Sequence, residues 1–264
     1  MFCQKWLTTI RTHVPHLSKP QAWGLALWSL GMVLARSCAR SAVSSLLAAG
    51  MHRKEQTVRQ QLREWDDDAK RKRGSKRQAL RVETCCAPLL GWVVSGWQGT
   101  QRALALDATT LGQRLVVLAL RVVDRGGALP VAGVILPAGA THAWRREWRR
   151  LRRLRRPAMP RGGTVIVLAD RGLEAPWVFR RITRLGWHPL WRSNTGGSLR
   201  PAGATGWRPL RTFVPRPGAS WRGAGRALTR HQVAGPVLAR WEDGDKDPWL
   251  SLTDLPPEAS DAGW

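Results

Sequence analysis

The 264-residue chain has no tyrosine and only four cysteines, and acids are scarce, with 18 Asp and Glu against 43 Lys and Arg. Cys3, Cys38, Cys85 and Cys86 show no CxxC spacing and no flanking histidine pair, so they indicate neither a zinc site nor a disulfide framework and fit a reducing cytosol. Long apolar runs are missing too. The longest uncharged apolar segment, Pro20 to Ala35, has 16 residues where a membrane-spanning helix needs ~20, and it reads as a core helix. Basic residues before it and the small residues of ARSCARSA after it mimic a signal peptide. The long basic leader and the charge further downstream argue against export, and a cytoplasmic protein is expected.

What the chain does have is positive charge and tryptophan. A formal charge of +25 and a pI near 11.8 point to a polyanionic partner, because self-repulsion of this size is otherwise unfavourable. Zero Tyr beside 16 Trp suggests base-composition bias in the coding DNA. Such bias accounts for Arg over Lys but not for the shortage of acids. A hydrophobic content of 43% supports a real core, in one large domain or two modest ones.

Along the chain, Trp23, Leu27, Leu30 and Leu34 form an apolar stripe at helical spacing, which predicts a helix from Gln21 to about Arg40 begun after Ser18 and Pro20. Ser41 to Ala49 reads as a second helix stopped by Gly50, and Glu55 to Trp65 as a third, burying Val58, Leu62 and Trp65. Its outward Arg59, Gln60 and Arg63 resemble the base-reading side of a helix-turn-helix; any helical hairpin with a solvated face looks the same. Asp66 to Lys76 is a charge-segregated turn or linker, and Gln78 to Trp97 reads as one more helix, with Pro88 near its middle. Residues 1–97 are thus expected to form a helical, DNA-binding region.

The stretch that organises the rest is Ala103 to Thr110, ALALDATT, an apolar strand that carries Asp107 out at its carboxyl end. Leu115 to Val123 and Ala128 to Pro137 follow as antiparallel strands joined by the DRGG turn at Asp124 to Gly127. Thr141 to Arg156 is an amphipathic helix whose rows of arginine, among them Arg145, Arg149 and Arg152, suit phosphate contact, though charge-rich helix faces are usually only solvated. Thr164 to Gly172, TVIVLADRG, is a second apolar strand, buried on both faces and ending on Asp170. A helix from Glu174 to Leu185 with Val178, Phe179 and Ile182 inward and a strand from Trp187 to Ser193 complete a β-β-β-α-β-α-β order. Residues 194–248 are rich in Gly, Pro, Arg and Trp and read as a β-rich insertion, with short strands around Leu210 to Val214 and Val237 to Trp241. Trp207 and Trp221 there offer stacking surfaces for unpaired bases or fill a small core. Trp249 to Leu255 is a last strand.

Two carboxylates at the ends of adjacent strands repel each other, and a divalent cation relieves that repulsion. Magnesium suits oxygen ligands, with manganese as substitute. Two such ions ~3.5 to 4 Å apart activate an attacking hydroxyl and stabilise the leaving oxygen of a phosphoryl transfer, with Asp107 bridging and Asp170 completing one shell. A lone strand-end aspartate would signal little, since α/β enzymes of many chemistries have one.

LALDATTLG, the hairpin strands after it, VIVLADRG and WLSLTDLP together resemble the insertion-sequence DDE transposases of the transposon-five type. The resemblance covers about Leu104 to Leu255, with a spacing of 63 positions between the two acids. It implies an α/β, RNase H-like core over residues 98–264, a mixed five-stranded sheet with flanking helices and a β-rich insertion. It further implies Asp107 and Asp170 as the first two magnesium ligands. Double-stranded DNA, as transposon ends and target, is the implied partner, with a homodimer in a synaptic complex and a bacterial, nucleoid-associated setting. That family's third acid, a glutamate on a helix after the last strand, has no counterpart: Glu258 follows Pro256 and Pro257 without helical periodicity. The expectation is a truncated transposase of weak or absent activity. An RNase H-like nuclease and a non-catalytic basic DNA-binding remnant are the alternatives.

Overall fold

A computed structural model describes residues 2–72, 78–140, 144–148, 159, 162–173, 176–229 and 232–256. The chain divides into two units, residues 1–95 and 96–264. The first is helical: α1 (Phe2–His13), α2 (Lys19–Ala35), α3 (Arg40–Met51), α4 (Glu55–Asp66) and α5 (Val82–Ser95). The start of α2 follows from local chemistry, since the Ser18 backbone N–H donates to Gln21 Oε1 at 3.0 Å and Pro20 has no amide to leave unpaired. Its end is a left-handed Arg36 at φ 48, with Ser37 N–H closing on Met32 O at 3.2 Å. No single helix among the described residues is long and apolar enough to cross a membrane; α2 and α3 pass such a test only as a pair bent by 98°.

Two expectations for this unit need correction. Gly50 does not stop α3. The helix runs to Met51, and His52 takes the left-handed position at φ 52, because the closing bonds reach back from His52 and Arg53 to Ala49 and Ala48. The buried face of α2 keeps Leu27 of the expected stripe but is otherwise made of small residues, Ala22, Gly24, Ala26 and Gly31, while Leu34 is 56% exposed. Large neighbours take up the space these residues leave. A Cβ on Gly24 would lie 1.9 Å from Trp65 Cδ1, and one on Gly31 2.6 Å from Val43 Cγ1. Trp65 is further held by its indole N–H donating to Gln21 O at 2.9 Å. Around this close approach Leu27, Val43, Leu47, Ala48, Val58 and Leu62 form the core. The single helix expected around Pro88 is α5, and α1, which the sequence pattern did not reveal, offers Trp6 and His13 to Trp92, the latter pair stacked at 4.3 Å.

The second unit is mixed α/β and is built on one ten-stranded sheet: β1 (Gln101–Leu111), β2 (Leu115–Asp124), β3 (Gly127–Pro137), β4 (Thr164–Ala169), β5 (His188–Arg192), β6 (Ser198–Pro201), β7 (Arg208–Pro209), β8 (Ser220–Ala227), β9 (Val233–Arg240) and β10 (Trp249–Thr253). The order across it is β3-β2-β1-β4-β5-β10-β9-β8-β6-β7. β1 and β2 are antiparallel, as are β2 and β3, whereas β4 runs parallel to β1 and to β5. The turn between β2 and β3 has Arg125 at φ 45 and Gly126 at φ 79, the left-handed pair that a two-residue hairpin requires. Helical residues 144–148 (α6) and α7 (Pro176–Thr183) lie between strands in the chain. An apolar pocket lined by Leu106, Leu120, Val167, Trp148, Trp177 and Ile182 shows these helices packed on one face of β1, β2 and β4.

The expected five strands form half of the sheet. The region taken for an insertion extends it, because β10 pairs antiparallel with the open edge of β5 and satisfies its amides, and β9, β8, β6 and β7 add in turn. Residues 210–213 are a 3-10 turn rather than a strand, with Leu210 buried. β1 does not end at Asp107; it continues four residues further against β2.

Because Gly24 is a contact and not a gap, Gly24→Ala should lower the stability of the helical unit by about 1–3 kcal/mol, as overpacking does. Urea unfolding followed by circular dichroism checks this, and an unchanged midpoint would contradict the packing described.

Candidate functional site

The parallel pairing of β1 with β4 sets the geometry of the acids. Its last registered pair is Leu106 with Ala169, so Asp107 and Asp170 stand one residue further along neighbouring strands. Laterally paired residues project from the same face of a sheet and successive ones alternate. The acids therefore leave the sheet on the face of Ala105 and Leu168, opposite the pocket under α6 and α7. Past this point β4 gives way to a 3-10 turn at Arg171–Leu173, and Asp170 Oδ1 accepts the Arg171 backbone N–H at 2.6 Å. Asp170 is exposed, and the Asp107 side chain is 39% exposed.

Asp107 has a partner that the sequence pattern did not single out. Arg121 Nη2 donates to Asp107 Oδ2 at 2.7 Å, and Thr109 Oγ1 donates to the same oxygen at 2.8 Å. Arg121 lies opposite Ala105 across the β1–β2 hairpin, hence on the acid face. The signal was present: Arg121 is the single charged residue inside LVVLALRVV, and counting back from the Gly112 turn brings it within one diagonal of Asp107. A bulge in the β2–β3 pairing falls between Leu120 and Arg121, an irregularity that commonly re-aims side chains next to a site.

Magnesium, the ion expected here, is tested by this donor set. It binds through one or two carboxylates and keeps several waters, which the exposed pair of Asp107 and Asp170 can supply and accommodate. Among the described residues no group of three His, Cys, Asp or Glu side chains comes together, so two carboxylates are the most that this face offers an ion. The Arg121 guanidinium already sits on one of the two carboxylates as its counter-ion.

The remaining expected contacts are scattered. Arg59 and Arg63 are exposed on α4, with Arg63 Nε 3.9 Å from Asp67 Oδ2. Arg145, in α6, lies with its Cζ 5.3 Å from the Trp177 ring. Arg149 and Arg152 fall outside the described residues, as does Glu258. Trp207 is half-buried under Arg200 at 5.4 Å, and Trp221 packs on Phe213 at 4.4 Å. A Cβ on Gly223 would collide with the Trp221 ring. Both tryptophans thus have packing partners, which favours the core-filling alternative raised for them.

No protein-family model matches the chain, and no curated protein sequence resembles it.

A half-exposed ion pair contributes up to ~1 kcal/mol to stability. A double-mutant cycle of Asp107→Ala and Arg121→Ala, read by chemical denaturation, should therefore give a coupling no larger than about 1 kcal/mol. A coupling of several kcal/mol would show Asp107 to be a structural anchor and not an available ligand.

Proposed function

We propose that this chain acts on DNA as a transposase-type phosphoryl transferase with an RNase H-like core. The observation that carries the reading is that Asp107 and Asp170 each follow directly on the last registered pair of the parallel strands β1 and β4, Leu106 with Ala169, within the strand order β3-β2-β1-β4-β5. An RNase H-like core has that order, with β2 antiparallel to its neighbours. The excess of 43 Lys and Arg over 18 acids supplies affinity for a phosphodiester backbone.

In this reading Asp107 and Asp170 hold a magnesium ion, which when bound polarises a phosphoryl oxygen and makes a coordinated water more acidic. Thr109 fixes the Asp107 carboxylate through its hydroxyl, and the Arg171 amide fixes that of Asp170. Holding both carboxylates before substrate arrives avoids reorganising them during the reaction. Arg121 orients Asp107 while no other cation is present, and it would have to yield that oxygen or share it when one binds. With two acids and one ion, transfer is expected to be slow.

The Arg121–Asp107 pair, and the lack of a third acid beside it among the described residues, favour a second reading. In that reading the chain binds DNA without breaking it.

Two measurements separate these readings. Magnesium-dependent nicking of DNA by the full chain should fall by about 10²-fold or more in Asp107→Asn and in Asp170→Asn, with DNA retention unchanged. Retention without any magnesium-dependent nicking in the wild type would leave only the binding reading. Removing the resident counter-ion with Arg121→Ala should tighten Mn²⁺ binding about fivefold, the equivalent of the ~1 kcal/mol that such an ion pair is worth. Electron paramagnetic resonance of free Mn²⁺ measures it, and weaker or unchanged binding would contradict the role given to Arg121.

A further inference from the structure

The acid face of the sheet does not stop at β5. Arg192 pairs with Ser251, Ser251 with Leu238, and Leu238 with Arg222. These residues continue in one lateral row from Asp107 and Asp170, since the last registered pair of β4 with β5 is Ala169 with Trp191. On the same face Trp249 pairs with Arg240, and Arg226 pairs with Arg200. Five of the six arginines in β5–β10, Arg192, Arg200, Arg222, Arg226 and Arg240, therefore project from one side, and none of these strands contains an acid.

That side faces solvent. In β8 the residues Ser220, Arg222, Ala224 and Arg226 are exposed while Ala227 is buried, and across the sheet Leu199, Val237, Ala239, Leu250 and Trp191 form the core on the opposite face. Arg192 lies flat over Trp249, 3.7 Å from the ring centroid, which holds its guanidinium at the surface. Arg226 donates to Gln232 Oε1 at 3.3 Å, a neutral partner, and Arg240 pairs with Glu242 beyond the strand. The Arg200–Arg226 pair is the decisive feature. Like charges directly opposite each other across two strands are unfavourable unless an anion lies between them, and here the Arg200 guanidinium lies over Trp207 while that of Arg226 reaches Gln232, both neutral partners.

We propose that this arginine face of β5, β10, β9, β8 and β6 is a track for the phosphodiester backbone of DNA. Five strand steps at ~4.8 Å separate Asp107 from Arg222, about 24 Å, or about seven nucleotides of one strand of a duplex. The sheet twists by about 20° at each step, so the track winds around the unit and does not lie flat. Its alignment with the acid pair deepens the reading given above and rests on it for the choice of DNA over other polyanions. An anionic membrane surface would meet the same charges, but the face offers a single exposed large apolar side chain, Trp249, to insert.

The test is binding of the full chain to a fluorescein-labelled duplex across a salt series, in EDTA so that no cleavage chemistry contributes. In the Arg200→Gln, Arg226→Gln double variant the slope of log K against log[NaCl] should shrink by about two, because each lost phosphate contact removes ~0.9. Its melting temperature should be equal to or above that of the wild type, since a like-charge contact has been relieved. Arg200→Lys with Arg226→Lys should keep the slope. Arg208→Gln with Arg211→Gln removes the same charge outside the face and should leave the slope within error. An unchanged slope in the first variant, or an equal loss in the last, overturns the track. So would loss of binding to phosphatidylserine vesicles in the first variant with DNA binding intact. Because no divalent ion is present, failure here leaves the acid pair untouched, and failure of the nicking test leaves the track standing.

Discussion

Everything in the second unit depends on the parallel pairing of β1 with β4. Parallel strands cannot be joined by a tight turn, so the chain makes a long excursion through β2, β3 and α6 before returning beside β1. The register on return decides the chemistry. With Leu106 opposite Ala169, both aspartates fall one position beyond the last pair and on one face; a one-residue slip would send one carboxylate into the apolar packing under α7. The buried face enforces this register. Leu104, Val165, Val167 and Leu120 are each 5% exposed or less, and a one-residue slip of β4 would turn Val165 and Val167 away from this packing.

Close negative charges need an answer, and in this molecule it is Arg121. A guanidinium on Asp107 neutralises one acid without the desolvation cost of burial, since both partners remain about one-third exposed. The same arrangement sets a threshold for any other cation, which must offer Asp107 more than Arg121 does. Further along the face arginines outnumber acids, and the strands β5 to β10 themselves carry none. Arg200 opposite Arg226 is a local cost that makes sense when a polyanion lies on the sheet, and the contrast with the paired Asp107 marks two ends of one surface.

Much of this was legible in the sequence where local rules act alone. The apolar runs around Asp107 and Asp170, the DRGG turn and the helix holding Val178, Phe179 and Ile182 each follow from period and turn chemistry, and the structure has them there. Reading failed where a distant neighbour decides. The stripe on α2 was misread because Gly24 and Gly31 are buried by Trp65 and Val43, residues that no window around α2 contains. α3 passes Gly50 because its closure depends on bonds from His52 and Arg53. The run after Asn194 reads as a β-rich insertion or long loop, and its short, Gly-rich strands have no strong alternation to show what they pair with. Only the open edge of β5 and the close approach at Gly225 and Gly235, where a Cβ would meet the Arg200 and Thr253 carbonyls, show them joined to the main sheet. The acid pair was legible residue by residue, whereas its counter-ion required the hairpin register.

Anomalous diffraction from crystals soaked in Mn²⁺ tests the central claim most directly. A single manganese peak bonded to both Asp107 and Asp170, with the Arg121 guanidinium displaced from Asp107 Oδ2, is the predicted result. Manganese bound elsewhere, with the 2.7 Å Arg121–Asp107 contact intact, would contradict it.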